Sequence, residues 1–321
     1  MTLISLIIIL TIERLALRGR AWQAHRYFTR YVNLTKRYSG HQFSLWGVLL
    51  WLFTPVILLA CAMMLFDSQL LEALIAFFVL AICVGCRNLR KVYKEYLNAA
   101  NRNDMQACLR YAAALGQRTN AEGEATETLG QTLVWLNFKY YCGVMFWFVV
   151  LGAPGAVLYV MVREAHDMSK ANSEEVIACA SLSDKHKLDR QAALDDIDDE
   201  ALEHIEKSPK AYLCYNFLSP YTAKLGMFIH ILDWLPARLF SFGYLIIGNF
   251  SRGTGRWLDI ALDMKVSART VVADIAIEAE KVEAEQIHCT LEPVCMVKLV
   301  KRNLLFFLAV VALATLFGEL S

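Results

Sequence analysis

The chain has 321 residues, of which 57% are hydrophobic and only 20% charged, with a mean hydropathy of +0.38. Soluble domains carry about 25% charge and less apolar content, and here the excess is gathered into long runs, so the composition predicts an integral membrane protein. A net charge of +1 excludes polyanion binding as an inference from total charge, and no aromatic and basic residues interleave as a nucleic-acid surface requires.

The start, MTLISLIIILTIERLALRGR, has no basic residue before its apolar stretch and no small-x-small cleavage site, so it reads as a retained first helix over 1–17 rather than a signal peptide. Its polar end, Glu13 and Arg14, is expected to leave the bilayer. Two clear spans follow at 44–66 and 69–86, joined by a link short enough to force an antiparallel pair, and a last span is expected near 303–319. Cys61, Cys83, Cys86 and Cys142 lie in apolar runs, where cysteine packs as a small hydrophobe.

Two apolar regions are interrupted. The first, 133–166, has Gly152-Ala153-Pro154-Gly155 at its centre, residues that stop a helix and turn the chain, and is read as a helical hairpin. The second, 222–250, contains Asp233, Pro236 and Arg238 in the string Leu232-Asp233-Trp234-Leu235-Pro236-Ala237-Arg238-Leu239. It is read as a broken helix or hairpin, with Asp233 as the N-cap of a helix that Pro236 then stiffens.

Segment 18–43 is rich in Arg and Lys, and segment 87–132 opens with Arg87, Arg90, Lys91 and Lys94. The positive-inside rule then places 18–43, 87–132, 167–221 and 251–302 in the cytoplasm, provided both interrupted regions are hairpins. The acidic run Asp195–Glu200 reads as a solvated helix face. The predicted architecture is all-α and polytopic: one membrane-embedded domain, 1–321, bundling transmembrane helices with a cytoplasmic helical layer.

Ionisable residues at membrane depth are costly and mark functional candidates. Glu13, Arg14, Lys139, Arg163 and its neighbour Glu164, Asp233 and Arg238 all fall at the expected cytoplasmic ends of apolar runs. Arg102, Asn103 and Asp104, which follow a basic helix, and Asn137 complete the candidate ligand-binding set, with Asn103 or Asp104 expected to cap the next helix. Arg102, Lys139, Arg163 and Arg238 would supply positive charge to a cytoplasmic-face pocket, and Arg238 is expected to be its functional member. His166, Asp167 and His230 are too few and too poorly spaced for a metal site, and no spacing defines a catalytic residue.

Several of these motifs together resemble the AmpE family of bacterial inner-membrane proteins: Glu13-Arg14-Leu15, Asn101-Arg102-Asn103-Asp104, Trp135-x-Asn137-Phe138-Lys139-x-Tyr141, Phe146-Trp147, and the Leu-Asp-Trp-x-Pro-x-Arg-Leu string followed by Tyr244-x-x-Ile247-Gly248. The resemblance implies a multi-pass protein of the bacterial inner membrane that modulates β-lactamase induction, linked to muropeptide recycling. Its implied partners are the lipid bilayer, an AmpD-type cytoplasmic amidase and a muropeptide or nucleotide ligand, with no cofactor and no nucleic acid.

A more distant similarity is to the CobD/CbiB adenosylcobinamide-phosphate synthases, carried by Phe146-Trp147, Gly152-Ala153-Pro154-Gly155-Ala156, Tyr159, Met168 and Pro236-Ala237-Arg238-Leu239. It implies, as an alternative, an ATP-dependent amide-forming enzyme in which Glu13, Asp104 and Glu164 bind Mg-ATP. The synthase pattern has acids ahead of the Phe-Trp pair and before Pro-Ala-Arg-Leu. Here Trp135, Leu136 and Lys139 occupy the first set, and Ile229 and His230 the second. Mg²⁺ with phosphates depends on such carboxylates, which argues for regulation rather than catalysis.

Overall fold

The computed structural model describes residues 6, 23–38, 44–65, 68–85, 87–120, 125–189, 218–280 and 291–317. The expected first helix (apart from Leu6), Glu13, Arg14 and the acidic run 195–200 lie outside them. The described residues are helical with no named strand; a single isolated bridge pairs Thr119 with Ala125.

The helices are α1 Ala24–Tyr38, α2 Leu45–Leu65, α3 Gln69–Cys83, α4 Arg87–Asn101, α5 Met105–Ala114, α6 Leu129–Asn137, α7 Gly143–Asp189, α8 Thr222–Ile247, α9 Phe250–Ala261, α10 Ala268–Ala279 and α11 Leu291–Leu316. Many start where a side chain satisfies free backbone donors. Asp104 caps α5, Asn249 caps α9 and Ser267 caps α10. Thr128 and Gln131 form a reciprocal capping box on α6, a pattern readable in the sequence as Thr-x-x-Gln.

Three stretches are long and apolar enough to cross a membrane: 45–65, 129–171 and 291–316. The middle one is not a straight rod. Gly152 has φ 69° and ψ −157°, a conformation nearly confined to glycine, and Pro154 follows with its fixed φ. Lys139 Nζ lies 2.6 Å from Asp167 Oδ1, although 28 residues of uninterrupted helix would span about 42 Å. The chain therefore doubles back at Gly152, giving two antiparallel arms, 129–151 and 153–171. Gly143 permits their close approach, because a Cβ there would stand 2.5 Å from the Tyr159 hydroxyl.

A continuous π-helical turn, Phe138–Cys142, joins α6 to α7. It shifts the side-chain register where Lys139 and Tyr140 must face the returning arm. Such turns are over-represented at functional sites.

The second interrupted region corrects the sequence reading. α8 runs unbroken through Pro236, so 222–250 is neither a hairpin nor a helix broken at Asp233. Its faces explain the tolerance. Met227, Ile231, Leu235, Leu239, Phe242 and Ile246 are exposed and recur every three or four residues, while Asp233, Pro236, Ala237, Arg238 and Ser241 are buried. The apolar stripe covers about 28 Å of helix, close to the hydrocarbon thickness of a bilayer, and the polar residues turn inward. An inward-turned polar set lowers mean hydropathy without putting charge against lipid.

α9 folds back along α8, with Trp257 Nε1 donating to Ser241 Oγ at 3.0 Å, and α10 then returns so that Asn249 N donates to Ala279 O at 2.9 Å. α10 has no exposed residue and buries seven of its twelve, and it forms a core with α6, the π turn, α8 and α11. α4 and α5 form a helical pair on α6 and the start of α11, through Tyr96, Cys108, Leu129 and Leu133. Glu292 ties α11 to the start of α6: its carboxylate accepts from Thr128 Oγ1 and, at 3.1 Å, from Gly130 N, negative charge at a helix N-terminus.

Candidate functional site

The folded-back arms bring together charged residues 24 to 28 positions apart. Arg163, 1% exposed, donates Nη2 to Glu164 Oε1 at 2.9 Å and Nη1 to the Lys139 carbonyl at 3.2 Å. Its guanidinium lies 4.4 Å from the centroid of the Tyr140 ring, a cation–π contact that the π turn sets up. Arg163 Nε is buried without a hydrogen-bond partner among the described residues. Lys139 Nζ grips both oxygens of Asp167 at 2.6 and 2.7 Å.

From α8, Asp233 enters the same space. Its Oδ1 accepts from the Tyr159 hydroxyl at 2.8 Å. Asp233 is therefore not a helix cap: it sits within α8, where backbone donors are already satisfied, and its carboxylate serves the arm-to-helix contact. His166 lies beside Gly226 of α8. From the opposite side α1 contributes His25, whose Nδ1 is 2.9 Å from Glu164 Oε2.

The network is deep at Arg163 and Asp233 and open at its edge, where Lys139, His166 and Asp167 are part-exposed and His25 is exposed. Two permanent cations, Lys139 and Arg163, meet three carboxylates, Glu164, Asp167 and Asp233. With His25, held on Glu164, as a third and titratable cation, the positively charged pocket expected from the sequence is internally compensated.

The hydrogen bond to Glu164 raises the His25 pKa above its ordinary value, against the opposing effect of partial burial. A raised folded-state pKa means that this contact stabilises fully below about pH 6.5 and weakens as pH rises through the shifted value. The neighbouring charges acting on the ring are Glu164, Asp167 and Arg163. Hydrogen exchange is therefore expected to show α1 better protected at pH 6 than at pH 8, after correction for intrinsic rates. His25→Gln should remove the difference.

Other sequence candidates lie elsewhere. Asp104 Oδ1 accepts from Ala107 N at 3.0 Å as the cap of α5, and Arg102 and Asn103 (φ 57°) form the exposed turn before it. Asn137 donates back to the Leu133 carbonyl at 2.8 Å. Arg238 is the main correction. It is 5% exposed and donates to the carbonyls of Trp234, Ala261, Asp263 and Val266, so it holds the C-terminus of α9 rather than facing a ligand. His230 likewise contacts the Met264 carbonyl at 2.7 Å.

Asp104 and Glu164, two of the acids required for Mg-ATP, are engaged in separate structural roles. Among the described residues no group of three or more His, Cys, Asp or Glu side chains is placed to hold a metal ion. Sequence reasoning missed His25 and gave Asp167 and Tyr159 no part in the site. The adjacent Arg163-Glu164 pair within an apolar run was the available signal for a partnered network.

No solved structure matches this chain. It is 24% identical to Protein AmpE of Shigella flexneri over 336 aligned positions, covering 100% of both chains. A family model described as "Regulatory signalling modulator protein AmpE" matches residues 1–174 and 218–321, which include both arms of the hairpin, α1 and α8. The chain belongs to the AmpE family of regulatory signalling modulators.

Proposed function

We propose that this protein modulates β-lactamase induction from the bacterial inner membrane by taking a small anionic ligand of the muropeptide type at the open edge of the Lys139–Arg163 network. The observation that carries the reading is the part-exposed Lys139–Asp167 pair next to the buried Arg163, which donates to the Lys139 carbonyl. The site is charge-compensated, so an incoming carboxylate or phosphate acts by replacing Asp167 on Lys139, with Arg163 Nε as a further donor. Displaced Asp167 then loosens one arm from the other. Ligand binding is in this way converted into a change of helix packing, which a cytoplasmic partner such as an AmpD-type amidase reads. A ligand shifts the equilibrium only by its differential affinity for the two packings.

The test is complementation of a strain lacking the gene, with hydrolysis of a chromogenic cephalosporin measured after antibiotic challenge. Lys139→Gln is expected to insert at the normal level and to lose most of the modulation. Asp167→Asn, which frees Lys139, is expected to shift the response in the opposite direction. Normal modulation by both variants, at equal membrane abundance, would rule out this site.

A further inference from the structure

The geometry of α1 points to a second binding surface, separate from the Lys139–Arg163 network. Phe28, Tyr31 and Thr35 are spread over two turns of α1, and all three meet a single residue of α2. Phe28 packs edge-on to Trp51 at 5.8 Å between ring centroids, and Tyr31 stacks on it at 4.9 Å. Trp51 Nε1 donates to Thr35 Oγ1 at 2.7 Å, and the Tyr31 hydroxyl donates to the Trp51 carbonyl at 2.9 Å. Trp51 is thus a single side chain of α2 seated in a hollow formed by residues 28, 31 and 35 of α1, which fixes where along α2 the two helices meet.

α2 is 21 residues long, apolar and without a charged side chain. Where such a helix crosses the bilayer, a partner with four cations in 15 residues stays out of the hydrocarbon. The contact point agrees. Trp51 is six residues from the start of α2, about 9 Å along its axis, and Trp46 at that start is 75% exposed, as in an interfacial aromatic belt. α1 therefore sits at the membrane–water boundary.

Its chemistry fits that position. α1 carries Arg26, Arg30, Lys36 and Arg37 and no acid. Phe28 and Val32 face inward and are buried, while Arg26 and Arg30 are exposed on the other side. These two are one turn apart, hence about 6 Å between their Cβ atoms, and neither forms an ion pair among the described residues. Exposed Tyr27 and Leu34 accompany them.

We propose that α1 is a membrane-surface helix whose Arg26 and Arg30 together bind the phosphate groups of anionic lipids. The same helix reaches Glu164 through His25, so headgroup binding steadies the outer wall of the buried network. The proposal does not depend on which ligand that network takes.

Hydrogen exchange of the full chain in nanodiscs tests it, comparing phosphatidylcholine alone with phosphatidylcholine plus phosphatidylglycerol. Amides of 24–38 are expected to exchange more slowly with the anionic lipid, by up to about thirty-fold for two arginines at a charged surface. The paired Arg26→Glu and Arg30→Glu substitutions should abolish the lipid dependence while leaving exchange in the buried helix 268–279 unchanged. Lysine at both positions should retain it. Free inorganic phosphate added to phosphatidylcholine discs should not reproduce it, since the docking requires phosphate held at the membrane surface. Equal exchange of the wild-type chain in both lipids would overturn the proposal whatever the variants do, as would lipid dependence surviving charge reversal. Protection produced equally by free phosphate would assign the arginines to a soluble anion instead.

Discussion

Replacing Arg163 with Met is expected to cost about 3–5 kcal/mol of stability, the range for removing one partner of a buried ion pair. Marginal folds hold about 5–15 kcal/mol in all, so the loss should be plain in thermal unfolding of purified, detergent-solubilised protein. The cause is the charge left behind. Arg163 is 1% and Glu164 6% exposed, and without the guanidinium the Glu164 carboxylate keeps only His25, from the solvent side. The Lys139 carbonyl loses its Arg163 donor and the Tyr140 ring its cation. The double variant Arg163→Met with Glu164→Leu should recover much of the loss, because it removes both charges together. A single variant within about 1 kcal/mol of wild type would mean that the pair is not buried as described.

Arg238→Ala should also destabilise, by about 1.5–3 kcal/mol, the scale of hydrogen bonds to a charged group, and the effect should be local. The guanidinium donates to Ala261, Asp263 and Val266 carbonyls at 3.2, 2.8 and 3.3 Å. These lie at and just beyond the last turn of α9, where the helix dipole favours a cation. Trp234 stacks against the other face, 4.9 Å from the guanidinium carbon. Exchange protection across 250–267 should fall, while that of the 129–171 arms holds. Arg238→Lys should restore part of it, since an ammonium supplies charge but not the planar fork that reaches several carbonyls. Unchanged stability with altered induction would return Arg238 to a ligand-facing role.

These two arginines show where a sequence argument succeeds and where it stops. Both were conspicuous as cations in apolar surroundings, and the cost of burying charge justified attention to both. Their roles separate only in space. Arg163 faces the Lys139 carbonyl and the Tyr140 ring because Gly152 reverses the chain. Arg238 faces backbone because α9 turns back along α8. Apart from the adjacent Glu164 and from Trp234 one turn back, the local sequence of neither residue encodes its partners, which lie 23 and 24 positions away for Arg163 and 23 to 28 positions away for Arg238.

Asp233 and Pro236 teach a related lesson. An acid three residues before proline fits a helix start, and local chemistry favours that reading. Tertiary packing decides otherwise. The helix continues because Asp233 finds the Tyr159 hydroxyl and the inward face of α8 accommodates Pro236 among buried small residues, while an apolar stripe faces outward.

The all-helical membrane character, the turn at Gly152, a cap at Asn103 or Asp104 and the family were legible in the sequence alone. Each rests on local quantities: hydropathy summed along a run, the conformational range of glycine, a side-chain oxygen three residues from a free amide. Only the tertiary structure decided that Lys139, Arg163, Glu164, Asp167 and Asp233 form one compensated network with His25, that Arg238 belongs to the scaffold, and that α1 packs on α2 at Trp51. Those outcomes depend on which distant segment supplies the opposing charge or ring, and the hydrophobic pattern that drives helices together does not specify that pairing.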